Sequence, residues 1–176
     1  MVTSAVPPDT KDWTWVLQRP CPECGYDASA VPPEELGDAV RVTLAPWRAA
    51  LARPHAAVRP RPDVWSVLEY GCHVRDVFRV FDGRLALLLE QDDPQFADWD
   101  QDATALAEGY HRQDPDAVQG ELTAAGEAIA ARFDAVPPTA WERPGRRSNG
   151  SVFTVRTLGL YFLHDVEHHL YDVRPA

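Results

Sequence analysis

Residues 65–90, WSVLEYGCHVRDVFRVFDGRLALLLE, decide the fold because their apolar residues recur at helical spacing over a long segment. The pattern predicts a helix from about Trp65 to Glu90. A polar stripe on this largely apolar helix carries Glu69, His73 and Asp76. Buried polar groups need partners, so this stripe is the first candidate for a functional site.

Other parts of the chain have the same helical character. We expect three further helices, over about Glu34–Arg53, Ala103–Val136 and Thr154–Asp172. The first follows Pro32 and Pro33, residues that suit the first turn of a helix, whereas Pro46 should kink or weaken it. The second is interrupted where Asp114 can cap a restart on Pro115.

Four helical segments with polar, proline-marked connections predict an all-α four-helix bundle. We assign residues 33–176 to this bundle and residues 1–32 to an irregular N-terminal segment that carries CPECG. The loop at 136–151, before the last helix, can hold a short extended pair. A chain of 176 residues is long enough for one domain with its own core.

Composition excludes several classes of function. The net charge is -10, so the chain does not neutralise the phosphates of a nucleic acid, and we expect no nucleic-acid partner. No apolar run approaches the roughly 18 residues that span a bilayer, and the first residues do not read as a signal peptide. Three cysteines do not make a secreted disulfide framework, so we expect a cytoplasmic protein without a membrane partner.

The closing segment, LYFLHDVEHHLYDVRPA at 160–176, holds three of the six histidines. On a helix, His164 and His168 lie about 40° apart, whereas His169 lies about 140° from His164 and is excluded from their face. Two imidazoles at this spacing can reach one metal ion, but a third ligand must come from elsewhere. His73 is the best candidate, with Glu69 or Asp76 holding a ligand histidine from behind.

Two other interpretations of these histidines stay open. The three side chains can be ordinary core or surface histidines of a structural bundle that binds nothing. The letters HDVEH also match the H-x-x-E-H pattern of inverted zinc proteases, with Glu167 as the general base. Such proteases are much larger and need a peptide-binding cleft, so we expect Glu167 to be a bystander.

The two histidine segments together resemble a known superfamily. WSVLEYGCHVRDV at 65–77 is similar to the W-S-x-x-E-x-x-x-H-x-x-D signature of DinB-like (damage-inducible) bundle proteins. YFLHDVEHHLYDV at 161–173 resembles their closing H-x-x-x-H helix. The superfamily includes the N-terminal domain of mycothiol-dependent maleylpyruvate isomerase. The resemblance runs from about residue 33 to the end of the chain, and it implies an up-down-down-up four-helix bundle that is often a homodimer.

The resemblance also implies a metal and a chemistry. A divalent metal, commonly zinc or nickel, is expected on His73, His164 and His168, with Glu69 and Asp76 in supporting positions. Family members of known activity bind a low-molecular-weight thiol, and the metal lowers the pKa of that thiol so that a thiolate attacks an electrophile. We therefore predict a thiol-dependent S-transferase or isomerase. The alternative is a non-catalytic metal-binding or stress-response module.

The segment RPCPECGYD at 19–27 is the other feature with chemical meaning. Cys21 and Cys24, followed by Gly25, have the shape of a zinc knuckle, but four ligands are needed and the sequence supplies no second C-x-x-C. A histidine such as His55 or His111 can complete a metal site, or the pair can be a disulfide or two free thiols. The segment can also fold over the bundle and bring a cysteine to the histidine site. The role of the third thiol, at position 72, stays undefined.

Overall fold

Four long helices and one short helix form most of the structure, a computed structural model that describes residues 6–8 and 11–175. The helices are α1 (Leu36–Leu51), α2 (Val67–Glu90), α3 (Gln101–Ala107), α4 (Pro115–Asp134) and α5 (Val155–Asp172). The first two, α1 and α2, each pack against both α4 and α5, and α3 lies against α2. The predicted all-α four-helix bundle is confirmed, with its core between these four long helices.

Local sequence signals fix where the helices begin. Ser66 caps α2, because its hydroxyl accepts a hydrogen bond from the Glu69 amide while the Glu69 carboxylate accepts one from the Ser66 amide. Asp114 caps α4 and accepts from the Ala117 amide at 2.9 Å, as predicted. The helix α1 follows a 3-10 turn and continues through Pro46 to Leu51.

A small three-stranded sheet closes one end of the bundle. Its strands are β1 (Gln95–Phe96), β2 (Pro144–Arg147) and β3 (Val152–Thr154), in the order β1-β2-β3. The pair β2–β3 is antiparallel and corresponds to the short extended pair expected in the loop before α5, whereas β1 is parallel to β2 and was not expected. The sheet leads directly into α5, whose first residue follows β3.

The N-terminal segment packs against α5. It contains two 3-10 turns, Thr14–Leu17 and Ala28–Ala30, and both contact that helix. Val16, Cys21 and Tyr26 are buried, and the Tyr26 hydroxyl donates a 2.8 Å hydrogen bond to the Leu160 carbonyl. This segment is irregular in the sense that it lacks long helices, but its side chains belong to the protein core.

One glycine sets the distance between α4 and its neighbours. A Cβ added to Gly126 would collide with the Leu44 side chain and lie 3.1 Å from Phe78 Cε2. Gly120, one and a half turns earlier on α4, is exposed and has no atom within 4 Å of such a Cβ.

No described helix is long and apolar enough to cross a membrane.

The two glycines of α4 give a matched pair of substitutions with opposite expected signs. Gly126→Ala should lower the free energy of unfolding by about 1–2 kcal/mol, because the new methyl group overpacks the contact with α1 and α2. Gly120→Ala should raise it by about 0.5–1 kcal/mol, because alanine has the better helix propensity and space is open. Urea denaturation followed by circular dichroism measures both values, and equal effects would contradict the packing argument.

Candidate metal centre

A cavity of about 1130 Å³ lies beside α5, between that helix, the N-terminal segment and the start of α3. Aromatic rings form much of its wall: Trp13, Trp65, Tyr70, Trp99 and Tyr161. Four side chains from two successive turns of α5 also line the cavity: His164, Asp165, His168 and His169. These four residues divide into two groups of side chains that could hold a metal ion, each completed by residues from a different part of the chain.

The first group combines His73 of α2 with Asp165 and His169 of α5. One Asp165 oxygen lies 3.3 Å from His73 Nε2 and 3.4 Å from His169 Nε2. Ligands of one divalent ion with bonds of about 2.1 Å are separated by about 3.0–3.4 Å, and both distances to Asp165 lie in this range. The donor atoms of the three residues all lie within 4.8 Å of one another. Because Asp165 and His169 also line the cavity, a ligand position can face its interior.

Neighbouring side chains fix the orientation of these donors. The His73 ring is fully buried and lies parallel to Trp99, with ring centroids 5.5 Å apart. On the far side of the His169 ring, Nδ1 lies 2.8 Å from an Asp172 oxygen, which leaves Nε2 facing His73 and Asp165. Burial opposes ionisation of Asp165, but the hydrogen bond with His73 and the proximity of the neighbouring histidine rings outweigh burial and lower the pKa of Asp165 to about 2. Asp165 is therefore a carboxylate, the form that binds a metal.

The second group combines His164 and His168 of α5 with Cys21 and Cys24 of the N-terminal segment. One ligand atom from each of the four residues lies within 4.8 Å of the others. Burial, aided by the proximity of His168, lowers the pKa of His164 to about 4, so this imidazole is neutral and able to bind a metal. Burial also raises the pKa of the Cys24 thiol to about 11.

The predicted set of His73, His164 and His168 is thus distributed over two groups. The structure brings His164 and His168 together, whereas it places His73 with Asp165 and His169. The physical reason is the rotation of about 100° per residue along α5: the pair at 164 and 168 faces the N-terminal segment, and the pair at 165 and 169 faces α2. His169, which the sequence argument excluded, contacts His73 with ring centroids 4.9 Å apart.

Glu69 and Asp76 were predicted to support the ligand histidines, but the structure shows them in contact with other residues. Glu69 is buried at the start of α2, where it caps the helix with Ser66 and accepts hydrogen bonds from Arg59 at 2.9 and 3.1 Å. Asp76 accepts from Arg75 and from the Tyr110 hydroxyl. Both carboxylates pair with arginine, which indicates structural roles.

The remaining sequence candidates are also located. Cys72 is buried near the Tyr110 carbonyl and Gln113, and burial raises the pKa of its thiol to about 12, so it is inert. Burial raises the pKa of Glu167, which lies outside both donor groups. His55 and His111, named as completing ligands for the cysteines, are exposed and belong to neither group. All three cysteines are free thiols.

Comparison with known proteins agrees with this architecture. A sequence model of the DinB superfamily matches residues 38–173. The chain belongs to the DinB superfamily. A solved structure, YfiT from Bacillus subtilis, covers 80% of this chain and 85% of its own chain at a TM-score of 0.70 and 18% sequence identity. YfiT is described as a probable metal-dependent hydrolase with an unusual four-helix bundle topology. No curated protein matches this chain. The DinB-like fold predicted from the sequence is confirmed.

A charge-neutralising substitution tests the structural role of Glu69 in this DinB protein. Arg59 and the Ser66 groups outweigh burial and lower the pKa of Glu69, so the carboxylate stabilises the fold above its unfolded pKa of about 4.3. Glu69→Gln should cost about 2 kcal/mol at pH 7, and the difference from wild type should vanish as the pH falls through the folded pKa.

Asp63→Asn is the matched control, because Asp63 pairs with Arg61 at the surface and should contribute less than about 0.5 kcal/mol. Chemical denaturation at several pH values gives these free energies. Metal content should be unchanged in both variants. Loss of metal without loss of stability in Glu69→Gln would instead assign Glu69 to the metal site.

Proposed function

We propose that this DinB protein is a metal-dependent enzyme that uses a low-molecular-weight thiol to attack a small electrophile, as an S-transferase or isomerase. The proposal rests mainly on one observation: Asp165 and His169 line a large cavity, and an Asp165 oxygen lies 3.3 and 3.4 Å from the Nε2 atoms of the buried His73 and of His169. This ligand set replaces the three-histidine set expected from the sequence. A thiol as the nucleophile is supported by the resemblance to the mycothiol-dependent enzymes.

Two histidines and one carboxylate suit catalysis better than structure. Structural zinc sites use four protein ligands, whereas catalytic sites keep a position for water or substrate. A divalent ion bound here supplies a Lewis acid that lowers the pKa of a bound thiol or water. Trp65 and Trp99 flank the His73 ring with centroid distances of 5.6 and 5.5 Å, and both also line the cavity, so the donors lie beside an aromatic part of its wall.

The charge of the cavity limits the substrate. Seven acidic side chains line it, against two basic ones: Asp12, Glu23, Asp98, Asp100, Asp102, Asp165 and Asp172, with Lys11 and Arg147. This excess of negative charge disfavours an anionic thiol. Carboxylates accept hydrogen bonds from hydroxyl groups, so the cavity suits an uncharged, hydroxyl-rich thiol such as mycothiol. Arg147 also lies on the cavity wall, where it pairs with Asp98 at 3.7 Å and donates to Asn149 and Ser151, so it does not offset the acidic character of the cavity.

Hydrolysis is the second candidate, because YfiT is described as a probable metal-dependent hydrolase. The same three donors would then hold a metal that activates water instead of a thiol. The two functions differ in their products: thiol transfer consumes one thiol per electrophile and isomerisation regenerates it, whereas hydrolysis proceeds without thiol. A non-catalytic metal-binding module would bind metal at this site and turn over neither class of substrate.

Substitution of Asp165 or His169, which with His73 form the proposed cavity ligands, tests which residues bind the metal. His169→Ala and Asp165→Ala should each lower bound zinc or nickel by about one equivalent per chain, because two remaining ligands hold the ion poorly. Elemental analysis of the purified protein measures this loss. Thiol conjugation to an electrophile should fall at least about 100-fold in the same variants if that ion activates the thiol.

His111→Ala is the matched control, since His111 is exposed and outside both donor groups. It should keep full metal content and activity. Loss of metal in His164→Ala with retention in both cavity variants would contradict the assignment to His73, Asp165 and His169.

The acidic cavity predicts a preference for uncharged thiols. Mycothiol should react with a lower KM than glutathione, by about 10-fold or more at low ionic strength, because the two carboxylates and one ammonium of glutathione bring a net negative charge into a negative field. Steady-state rates with each thiol and one common electrophile give the KM values. Added salt should narrow the difference by raising the affinity for glutathione. Equal KM values at low salt would remove the electrostatic basis for thiol selection.

A further inference from the structure

We infer that Cys21, Cys24, His164 and His168 bind a zinc ion in a closed tetrahedral site that fastens the N-terminal segment to α5. The site is separate from the cavity ligands of the proposed function. It uses four side chains, two thiols and two imidazoles, which is a common donor set of structural zinc.

The distances suit one ion. Cys21 Sγ lies 3.7 Å from His168 Nδ1. Tetrahedral bonds of about 2.3 Å to sulfur and 2.0–2.1 Å to nitrogen separate the two ligands by about 3.6 Å. The complete set has one donor atom per residue within 4.8 Å of all the others, and three of the four residues are buried.

The loop that carries the cysteines has the geometry of a metal knuckle. The Gly25 amide donates to the Cys21 carbonyl at 2.9 Å, and Gly25 has a φ of +80°, which favours glycine. This turn lets the Tyr26 amide donate to Cys24 Sγ at 3.5 Å. Hydrogen bonds from backbone amides stabilise a thiolate, the form in which cysteine binds zinc. The loop therefore presents both sulfurs to the same side.

The histidines are arranged as ligands from the opposite side. Nδ1 of His168 faces Cys21, while its Nε2 faces the Glu23 carboxylate at 3.6 Å, so an acidic group lies behind the ring of a metal ligand. Nε2 of His164, a residue 3% exposed, is buried without a hydrogen-bond partner among the described residues. A buried polar atom without a partner is costly, and a bound zinc ion would satisfy it.

The types of ligand distinguish this four-residue site from the group of His73, Asp165 and His169. Four protein ligands complete the coordination of zinc, so no position remains for a substrate. Borderline-soft zinc suits thiolate and imidazole, whereas two imidazoles and a carboxylate accept a wider range of metals. The closed site holds residues 21 and 24 against a helix more than a hundred residues later in the chain, which is a structural task.

X-ray absorption at the zinc edge tests this inference in the full-length protein. In the His169→Ala variant, which lacks a cavity ligand, the bound zinc should have two sulfur and two nitrogen neighbours. Cobalt substitution of the same protein should give intense tetrahedral bands and a thiolate-to-metal absorption. A zinc shell made only of nitrogen and oxygen, or absence of zinc after growth and refolding with added zinc, would overturn the inference.

Single substitutions identify the sulfurs. Cys24→Ser should abolish the thiolate-to-cobalt absorption and lower bound zinc by about one equivalent. Cys72→Ser is the matched control, because Cys72 is buried away from this group, and it should leave both unchanged. If Cys24→Ser fails to fold, the zinc-edge and cobalt spectra of His169→Ala alone decide whether zinc has sulfur ligands. Failure of the cavity site to bind metal or to catalyse would leave these results unaffected, so the two proposals fail independently.

Discussion

The arrangement of both donor groups depends on the rotation of one helix. Two pairs at i, i+4 spacing begin one residue apart on α5, so their faces differ by about 100°. The pair at 164 and 168 meets the N-terminal segment, and the pair at 165 and 169 meets α2. Any shift of α5 about its axis would move both pairs away from their partners at once. The core packing that fixes this rotation therefore fixes the chemistry of both groups.

That rotation is held by ordinary packing. Phe162 is fully buried and contacts Phe78 of α2 and Phe133 of α4, with ring centroids 5.7 and 6.0 Å apart. Gly159 allows Leu36 and Phe133 to approach the helix backbone. Contacts with Leu36 of α1, Phe78 of α2 and Phe133 of α4 leave a single rotational position for α5, since interiors at this density deform little. The donor side chains on the other faces of α5 are therefore held in fixed directions.

The helical part of the structure could be predicted well because its signals are local. Periodicity, the prolines before α1 and the cap at Asp114 each depend on residues a few positions apart. The donor groups depend on which faces of distant segments meet, and periodicity does not determine this. A pair at 165 and 169 has the same spacing as the pair at 164 and 168, so the letters HDVEHH contained both. The aspartate at 165 looks like an ordinary helix acid in the sequence, so the spacing does not mark it as a metal ligand.

The N-terminal segment shows a second limit of sequence reasoning. Its prolines and lack of periodicity predicted irregular structure, but not the face of the bundle that it covers. Tyr26 shows how the position is set, through a buried ring beside His164 and a hydroxyl bonded to the Leu160 carbonyl. Such contacts join residues 134 positions apart, and one sequence alone carries no signal for them. The thiols were recognisable as a knuckle, and a cysteine at the histidine site was one of the open alternatives, but nothing in the sequence selected that alternative over the others.

The contact between Cys21 and His168 joins residues 147 positions apart. An ion shared by these two segments would close most of the polypeptide into one ring, as a disulfide between the chain ends would. Closure of a ring of that size reduces the conformational entropy of the unfolded chain by about 4–5 kcal/mol in free-energy terms. Separation of the segment around residue 21 from α5 would then require release of the ion. Two segments far apart in the sequence would become one of the most constrained parts of the fold.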